Sequence, residues 1–313
     1  MTPIRLLIPD LPVETELRPW LQRIDQNRWY SNGGPLLQEL EAALAQQWPM
    51  PEGAQRGKQR LYEDGVFPAA NGRARFVITP YLGVKDPVSA AYPVQLTTGR
   101  MRDHWHGMSR TGTVPRLFNL VDEPLLGMHP RDMDMRGLTA GDVVRIKSRR
   151  GTLLTRIEMH AALRAGQVFL PMHWGAQFMS GPGVNVLTVN ATDPFSRQPE
   201  LKHAAVQVEK ADLPYRLVAM RRFGETEDAA LSELFSKLQP LLRQFDYATL
   251  SQVGRDRVVL TLRAYSADPI AAELLDRIDA HLRMDDEARV MRYVDARKSV
   301  EKSARIVGGE VEA

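Results

Sequence analysis

The amino-acid sequence predicts a mainly β protein: a small β-barrel in the middle, a compact α+β domain after it and a helical leader before it. Three observations carry this expectation. Residues 92–209 hold a run of short strand patterns punctuated by glycine and proline, with little helix among them. Residues 215–297 switch to an alternation of strand, helix, two strands and helix. Residues 11–47 carry apolar positions at helical spacing instead.

The barrel strands are read from period-two alternation and from turns. Val94–Thr98 is the first. Gly141-Asp142 leads into Val143–Ser148, where Val144 and Ile146 alternate with Arg145 and Lys147, the pattern of a half-buried strand. Arg150-Gly151 turns the chain into a partner at Thr152–Met159. Gln167–Met172 is apolar and bounded by glycines, and His203–Glu209 closes the set. One helix is expected among them, His129–Arg136, with Gly137 just past its end.

In the α+β domain the expected elements are Arg216–Phe223, Glu227–Phe245, Ala248–Val253, Arg257–Tyr265 and Pro269–Arg283. Leu231, Leu234, Phe235, Leu238 and Leu241 form one helical stripe, and Ile270, Leu274, Leu275, Ile278 and Leu282 a second. Residues 298–313 are polar and are expected to be a ragged tail.

Toward the N-terminus, Leu17, Trp20, Leu21 and Ile24 recur at helical spacing, as do Leu36, Leu37, Leu40, Ala43 and Leu44. Ser31-Asn32-Gly33-Gly34-Pro35 separates the two stripes, with Pro35 placed to open the second helix. From Trp48 to about residue 90 the chain is rich in glycine, proline and charge, an extended segment with one expected strand at Ala74–Tyr81. The resulting divisions are 1–47, 48–90, 91–212, 213–297 and 298–313.

Composition narrows the function classes. The chain has 313 residues, 43% hydrophobic and 25% charged, ordinary values for a globular protein. No apolar run reaches the roughly 18 residues needed to cross a membrane. The first ten residues lack the pattern of a secretory signal, so a cytoplasmic location is expected. With 41 basic and 38 acidic residues interspersed, a nucleic-acid-binding module is disfavoured, because such a module concentrates positive charge on one face. The local basic run of Arg145, Lys147, Arg149, Arg150 and Arg156 reads either as a solvated strand face or as an anion contact. There is no cysteine, which excludes disulfides, thiolate nucleophiles and cysteine-held clusters. His104 and His106 alone do not make a zinc site, and no Gly-x-Ser-x-Gly, Gly-x-Gly-x-x-Gly or P-loop string occurs.

The richest chemistry lies in residues 96–113, with three kinds of group suited to a flat polyanion. Arg100 and its neighbours offer forked donors to phosphate or carboxylate. Gly99 and Gly107 let backbone approach closely, and Trp105 offers a ring face. The plainer reading is an exposed strand end with scattered charges. Pro171-Met172-His173-Trp174-Gly175 is a second strand end of the same type; His173 alone would more often be a satisfied core histidine, but the similarity to 104–107 suggests one shared pocket. Asn185 and the run Ser196–His203 form a third candidate, with an amide to read a purine or pterin edge and Lys202 to neutralise phosphate.

Taken in order, Thr98-Gly99-Arg100, His104-Trp105-His106, Gly141-Asp142, Ser148-Arg149-Arg150-Gly151, Pro171–Gly175 and Gln198–His203 make a pattern. It resembles the C-terminal cofactor-binding region of molybdopterin oxidoreductases, closest to the assimilatory nitrate reductase catalytic subunit. The resemblance begins near Trp48 and runs at least to Glu209. It implies a double-psi β-barrel that clamps molybdopterin guanine dinucleotide. Thr98, Gly99, Arg100, His104, Trp105 and His106 would hold pterin and diphosphate, Asn185 and Lys202 would contact the cofactor further along, and His173 and Trp174 would sit near the same pocket. His104 stands where many relatives have Gln. The family's metal-ligating and cysteine-bearing cluster domains precede this region. They are expected to be missing, leaving a part that is inactive alone and that pairs at most with a polypeptide carrying them.

Through Asp25-Gln26-Asn27-Arg28-Trp29-Tyr30-Ser31-Asn32-Gly33-Gly34-Pro35 and Gln38-Glu39-Leu40-Glu41, residues 1–47 resemble the N-terminal segment of the PLP-dependent sugar aminotransferases, whose Schiff-base lysine would lie far downstream, so no aminotransferase activity is expected. The alternative expectation for the whole chain is a gene-fusion remnant with no ligand.

Overall fold

The computed structural model describes residues 14–28, 34–39, 60–67, 69–76, 78, 80–194, 197–224, 226–255, 257–284, 286 and 288–313. They fall into two compact units, Met1–Leu82 and Gly83–Ala313.

In the first unit, helix α1 spans Glu14–Asn27 with Pro19 inside its first turns, and residues 35–39 form a helical turn opened by Pro35, as expected. Arg23 ties the two pieces together: it forms an ion pair with Glu39, and its guanidinium lies 5.2 Å from the Trp20 ring centroid. The continuation of the second stripe through Leu40, Ala43 and Leu44, and most of the turn before it, lie outside the described residues. The strand expected at Ala74–Tyr81 is not formed by its described residues. Phe76 and Ile78 do alternate, but they are 94% and 93% exposed. A strand needs a partner ladder for its backbone groups and a surface for its apolar face, and this segment has no strand beside it among the described residues of its unit.

The second unit begins with the barrel. Its strands are β1 (Val94–Gly99), β2 (Leu125–Met128), β3 (Val143–Lys147), β4 (Thr152–Met159), β5 (Gln167–Pro171) and β6 (Ala204–Lys210). They close in the order β1-β5-β2-β4-β3-β6. The β1–β5 and β2–β4 pairs are parallel and the other four antiparallel. A later strand is thus inserted between β1 and β2, and another between β2 and β3, the interleaving of a double-psi barrel. Inward residues such as Leu96, Leu126, Val144, Ile146, Ile157, Val168, Leu170 and Val206 build its core.

Strand β2 has no counterpart in the sequence reading. Four residues are too few to show a period, and Gly127 interrupts them for a packing reason: a Cβ there would sit 3.3 Å from His160 Cβ. The helix expected at 129–136 is shorter, α2 (Pro130–Asp134), with Pro130 at its first position. His129 Nδ1 accepts from the Arg131 N–H to cap it.

The α+β region follows as β7 (Tyr215–Phe223), α3 (Asp228–Leu238), β8 (Tyr247–Gly254), β9 (Val258–Ser266) and α4 (Ala272–Leu282). The strands form an antiparallel sheet in the order β7-β9-β8. The stripe residues Leu231, Leu234, Leu238, Leu274, Ile278 and Leu282 pack with Ala248, Leu250, Leu260 and Leu262 into a second core. At one face this sheet meets the barrel, because Tyr247 and Tyr265 belong to the barrel's core cluster.

Residues 298–313, expected as a tail, are instead structured. β10 (Val290–Asp295), β11 (Val300–Val307) and β12 (Glu310–Val311) form an antiparallel sheet. Long-range ion pairs, not an apolar stripe, hold it down. Arg305 and Arg221 are both buried, and both engage Glu312, while the Arg222 N–H donates to the Glu312 carbonyl at 2.7 Å.

Candidate cofactor cradle

The site is built at the carboxyl ends of the parallel pair β1 and β5. Parallel register sets Gly99 opposite Pro171, so the two stretches singled out in the sequence leave the barrel side by side. A Cβ at residue 99 would lie 2.6 Å from Phe169 Cε2, so a side chain there would have to displace that ring. The Met172 N–H donates to the Gly99 carbonyl at 3.0 Å and continues the pairing past the strands.

His173 then ties the two loops together. Its Nδ1 lies 2.6 Å from the His106 carbonyl and its Nε2 accepts from the Met101 N–H at 2.7 Å. Only the neutral ring with its proton on Nδ1 satisfies both partners. Burial pushes its pKa below the usual value, and Arg100 and His106 push the same way, against the hydrogen bond to the His106 carbonyl. With both nitrogens committed to backbone, His173 serves as a brace for the 101–106 loop.

The 201–202 stretch joins from the other side of β1. The Thr98 hydroxyl donates to the Leu201 carbonyl at 2.6 Å, and Lys202 Nζ donates to the Thr98 carbonyl at 3.0 Å. Thr98 is buried, but Lys202 is exposed and keeps donors for a ligand. Arg100 is also exposed, its guanidinium 5.3 Å from the Trp105 ring centroid. Trp105 packs edge-on against His106 at 4.5 Å. The cradle therefore presents two cations, an indole face and an imidazole.

Beneath them lies a neutral buried cluster. His104 and Trp174 are 5% and 2% exposed. The His104 ring is 5.6 Å from that of Trp174, 5.8 Å from that of His173 and 4.7 Å from that of Phe118. Burial first, and His173 second, lower the His104 pKa to about 4, with Asp103 opposing, so the ring is neutral at pH 7. The Thr111 hydroxyl oxygen accepts from the Trp105 N–H at 3.2 Å and lies 3.4 Å from His104 Nδ1; when the hydroxyl proton is donated to Nδ1, the His104 ring proton sits on Nε2. His104 Nε2 and Trp174 Nε1 are both buried without a hydrogen-bond partner among the described residues. Buried polar groups are nearly always paired, so these two ring nitrogens have hydrogen-bonding capacity to offer a ligand.

The loop above them is also conformationally costly. His106 and Met108 hold φ values of 45° and 61°, a region that non-glycine residues occupy at a cost.

Asn185 stands apart from this network. It is exposed on a 3-10 turn, Val184–Leu187, and is joined to the site through Gly183, where a Cβ would meet the Trp174 carbonyl oxygen at 2.4 Å. Thr111 and Gly183 are the residues that the sequence reading passed over. Gly183 had a signal in Gly181-Pro182-Gly183, a strong turn string; Thr111 had none.

Four of the five residues of the basic run along β3, the following turn and β4 are ion-paired within the fold, and the fifth, Arg150, donates to Asn190 Oδ1 at 3.3 Å. Arg145 and Lys147 reach Glu209 at 3.5 and 2.9 Å, Arg149 pairs with Asp86, and Arg156 with Glu123. Among the described residues no group of three or more His, Cys, Asp or Glu could hold a metal ion, and no helix is long and apolar enough to cross a membrane.

Comparison with known proteins follows this geometry. Residues 94–205 match the family model described as the Molydopterin dinucleotide binding domain. A nitrate reductase of Klebsiella oxytoca is 38% identical over 138 residues, 44% of this chain and 16% of that protein. A nitrate reductase of Synechocystis sp. is 36% identical over 190 residues, 59% of this chain and 27% of that protein. The chain thus spans well under a third of the length of these relatives. Among solved structures, acetylene hydratase from Pelobacter acetylenicus aligns with 38% of this chain and 18% of its own, at a TM-score of 0.33 and 18% identity. A computationally designed protein, msDPBB_sym2, aligns with 38% of this chain and 98% of its own, at a TM-score of 0.19 and 13% identity. Residues 94–205 are thus similar to molybdopterin dinucleotide-binding domains, and 138 to 190 residues of the chain are similar to part of nitrate reductases.

Proposed function

We propose that this chain binds molybdopterin guanine dinucleotide in the cradle between the 98–106 loop, the 172–174 strand end and Lys202. It would serve there as the cofactor-clamping part of a cytoplasmic nitrate reductase used in nitrate assimilation. The observation that carries the reading is the pair of buried ring nitrogens, His104 Nε2 and Trp174 Nε1, unpartnered among the described residues, on the loops that also carry the exposed Arg100 and Trp105, with Lys202 bound to the Thr98 carbonyl beside them. Unpartnered ring nitrogens near two exposed cations that have no carboxylate partner among the described residues fit a ligand that brings hydrogen-bonding groups and negative charge.

In this reading Arg100 and Lys202 hold the diphosphate. His104 Nε2 and Trp174 Nε1 donate to ring heteroatoms or phosphate oxygens, Trp105 covers a ring face, and Asn185 meets the far end of the dinucleotide. His173 keeps the loop in place and holds its own proton on Nδ1. When bound, the dinucleotide supplies the ligand frame for molybdenum redox chemistry. Residues of this chain contribute binding, orientation and exclusion of water, and the metal-ligating and cluster-bearing parts would come from a polypeptide with those domains.

The test is thermal. Saturating molybdopterin guanine dinucleotide should raise the melting temperature of the full chain, since a ligand that binds only the folded state stabilises it by mass action. An unchanged melting temperature at saturation would favour the ligand-free remnant instead.

A further inference from the structure

We infer that the α+β region is a brace for the cofactor loops, with Gln252 on β8 as its main positioning residue; this rests on the binding function proposed above. In the sheet order β7-β9-β8, strand β8 lies at an edge, and an edge strand leaves a row of unpaired backbone groups. The site loop after Trp174 fills part of that row. The Leu250 N–H donates to the Phe178 carbonyl and the Ser180 N–H to the Ala248 carbonyl, both at 2.9 Å, with Met179 bridged to Thr249. Ser180 Oγ accepts from the Ala248 N–H at 2.9 Å. Residues 178–180 therefore act as a short fourth strand of the α+β sheet. Gln239 adds a further hold, donating from Nε2 to the Ala176 carbonyl at 2.8 Å.

The other site loop is held from the same strand. Gln252 is buried, and its Nε2 donates to the Gly112 carbonyl at 2.6 Å. Gly112 directly follows Thr111, whose hydroxyl holds Trp105 and faces His104. Phe178 wedges between the two loops. A Cβ on Gly112 would lie 2.2 Å from its Cζ, and its ring meets Phe118 at 6.0 Å and Phe235 of α3 at 5.8 Å. Both loops that carry His104 and Trp174 thus end on one strand of the other subregion, and neither is anchored by the barrel alone. Preorganising these loops lowers the entropy lost on binding, and any coupling of this kind is reciprocal.

The experiment uses the full chain and two variants, Gln252→Met, which keeps bulk and removes the donor, and Ser180→Ala, which removes a surface-proximal acceptor with little threat to folding. Amide exchange in the absence of ligand should rise about tenfold or more at residues 105–112 in Gln252→Met and at 176–180 in Ser180→Ala, with β3 and β4 unchanged. The His173 Nδ1 proton resonance should broaden in Gln252→Met, a signature that general loss of stability at constant folded population would not produce. Affinity for molybdopterin guanine dinucleotide should fall about tenfold in Gln252→Met. Wild-type protection at both loops in both variants, with a sharp His173 signal, would overturn the brace. If wild-type chain binds no dinucleotide, the cofactor reading fails, while the exchange and resonance arms still decide the brace.

Discussion

Two buried polar clusters in the same compact unit are built on opposite principles. Around Glu123 the groups are charged and ion-paired: Arg156 pairs with Glu123 through Oε1 and also donates to the Gly141 carbonyl at 3.1 Å, and Arg263 reaches Asp122 at 2.8 Å, while Glu123 Oε2 is buried without a hydrogen-bond partner among the described residues. Around His104 the groups are neutral, and two ring nitrogens, His104 Nε2 and Trp174 Nε1, have no hydrogen-bond partner among the described residues. A paired ionic cluster gains little net stability but is costly to break. An unpaired neutral one is costly as it stands and is relieved when a ligand enters. The first cluster therefore reads as architecture and the second as a site.

The largest effect should come from breaking the charged cluster. Arg156→Met leaves the Glu123 carboxylate buried with its main partner gone, which should destabilise the chain by about 3 kcal/mol at pH 7, measured by denaturant unfolding. Burial already raises the Glu123 pKa above its ordinary 4.5 against the pull of Arg156 and Arg263. A raised folded-state pKa adds stability at low pH that is lost as pH rises through it. The variant's deficit should accordingly shrink as pH falls toward 4.5. A deficit that is flat with pH would mean the carboxylate is not what suffers.

The neutral cluster should respond to pH in the opposite sense. The folded His104 pKa near 4 lies below the ordinary 6.5, so the unfolded chain takes up the proton first. Stability from this group is complete above pH 6.5 and is lost as pH falls toward 4, by about 2–3 kcal/mol. His104→Gln should flatten the stability profile across that window, with the remaining slope owed partly to His173. An unaltered slope would remove His104 from the account.

Binding at the rim is expected to cost somewhat less per residue. Arg100→Ala and Lys202→Ala should each weaken dinucleotide binding by about 1.5–3 kcal/mol, because each deletes a charge-assisted contact. Calorimetric titration would show it, and full affinity in both variants would move the phosphates elsewhere. Smallest of all, Lys147→Ala removes one exposed partner of Glu209 on the barrel wall and should change stability by less than about 1 kcal/mol and binding not at all.

The parts of this molecule that could be read from the chain are those set by local pattern. Val144 and Ile146 against Arg145 and Lys147 announce β3, and the leucine stripes announce α3 and α4. The three cradle stretches stand out by residue type, since arginine, tryptophan, histidine and glycine together are poor core material. What stayed hidden depends on residues far apart in sequence. β11 and β12 are polar strands whose order comes from Arg221 and Arg305 meeting Glu312. β2 is too short for any period. The strand expected at Ala74–Tyr81 failed for the converse reason, a good local pattern with no described partner strand. The contact of His104 with Thr111 and the brace role of His173, which rests on backbone at Met101 and His106, are visible in no motif.

The central claim is that two buried N–H groups await an acceptor from a pterin dinucleotide. Its most direct test is to follow the Trp174 indole Nε1–H and the His104 Nε2–H by proton–nitrogen NMR while molybdopterin guanine dinucleotide is added. The account predicts saturable downfield shifts of both protons as they gain acceptors, with the Trp174 shift lost in a chain carrying Arg100→Ala and Lys202→Ala together. Protons that keep their ligand-free positions at saturating dinucleotide would contradict it.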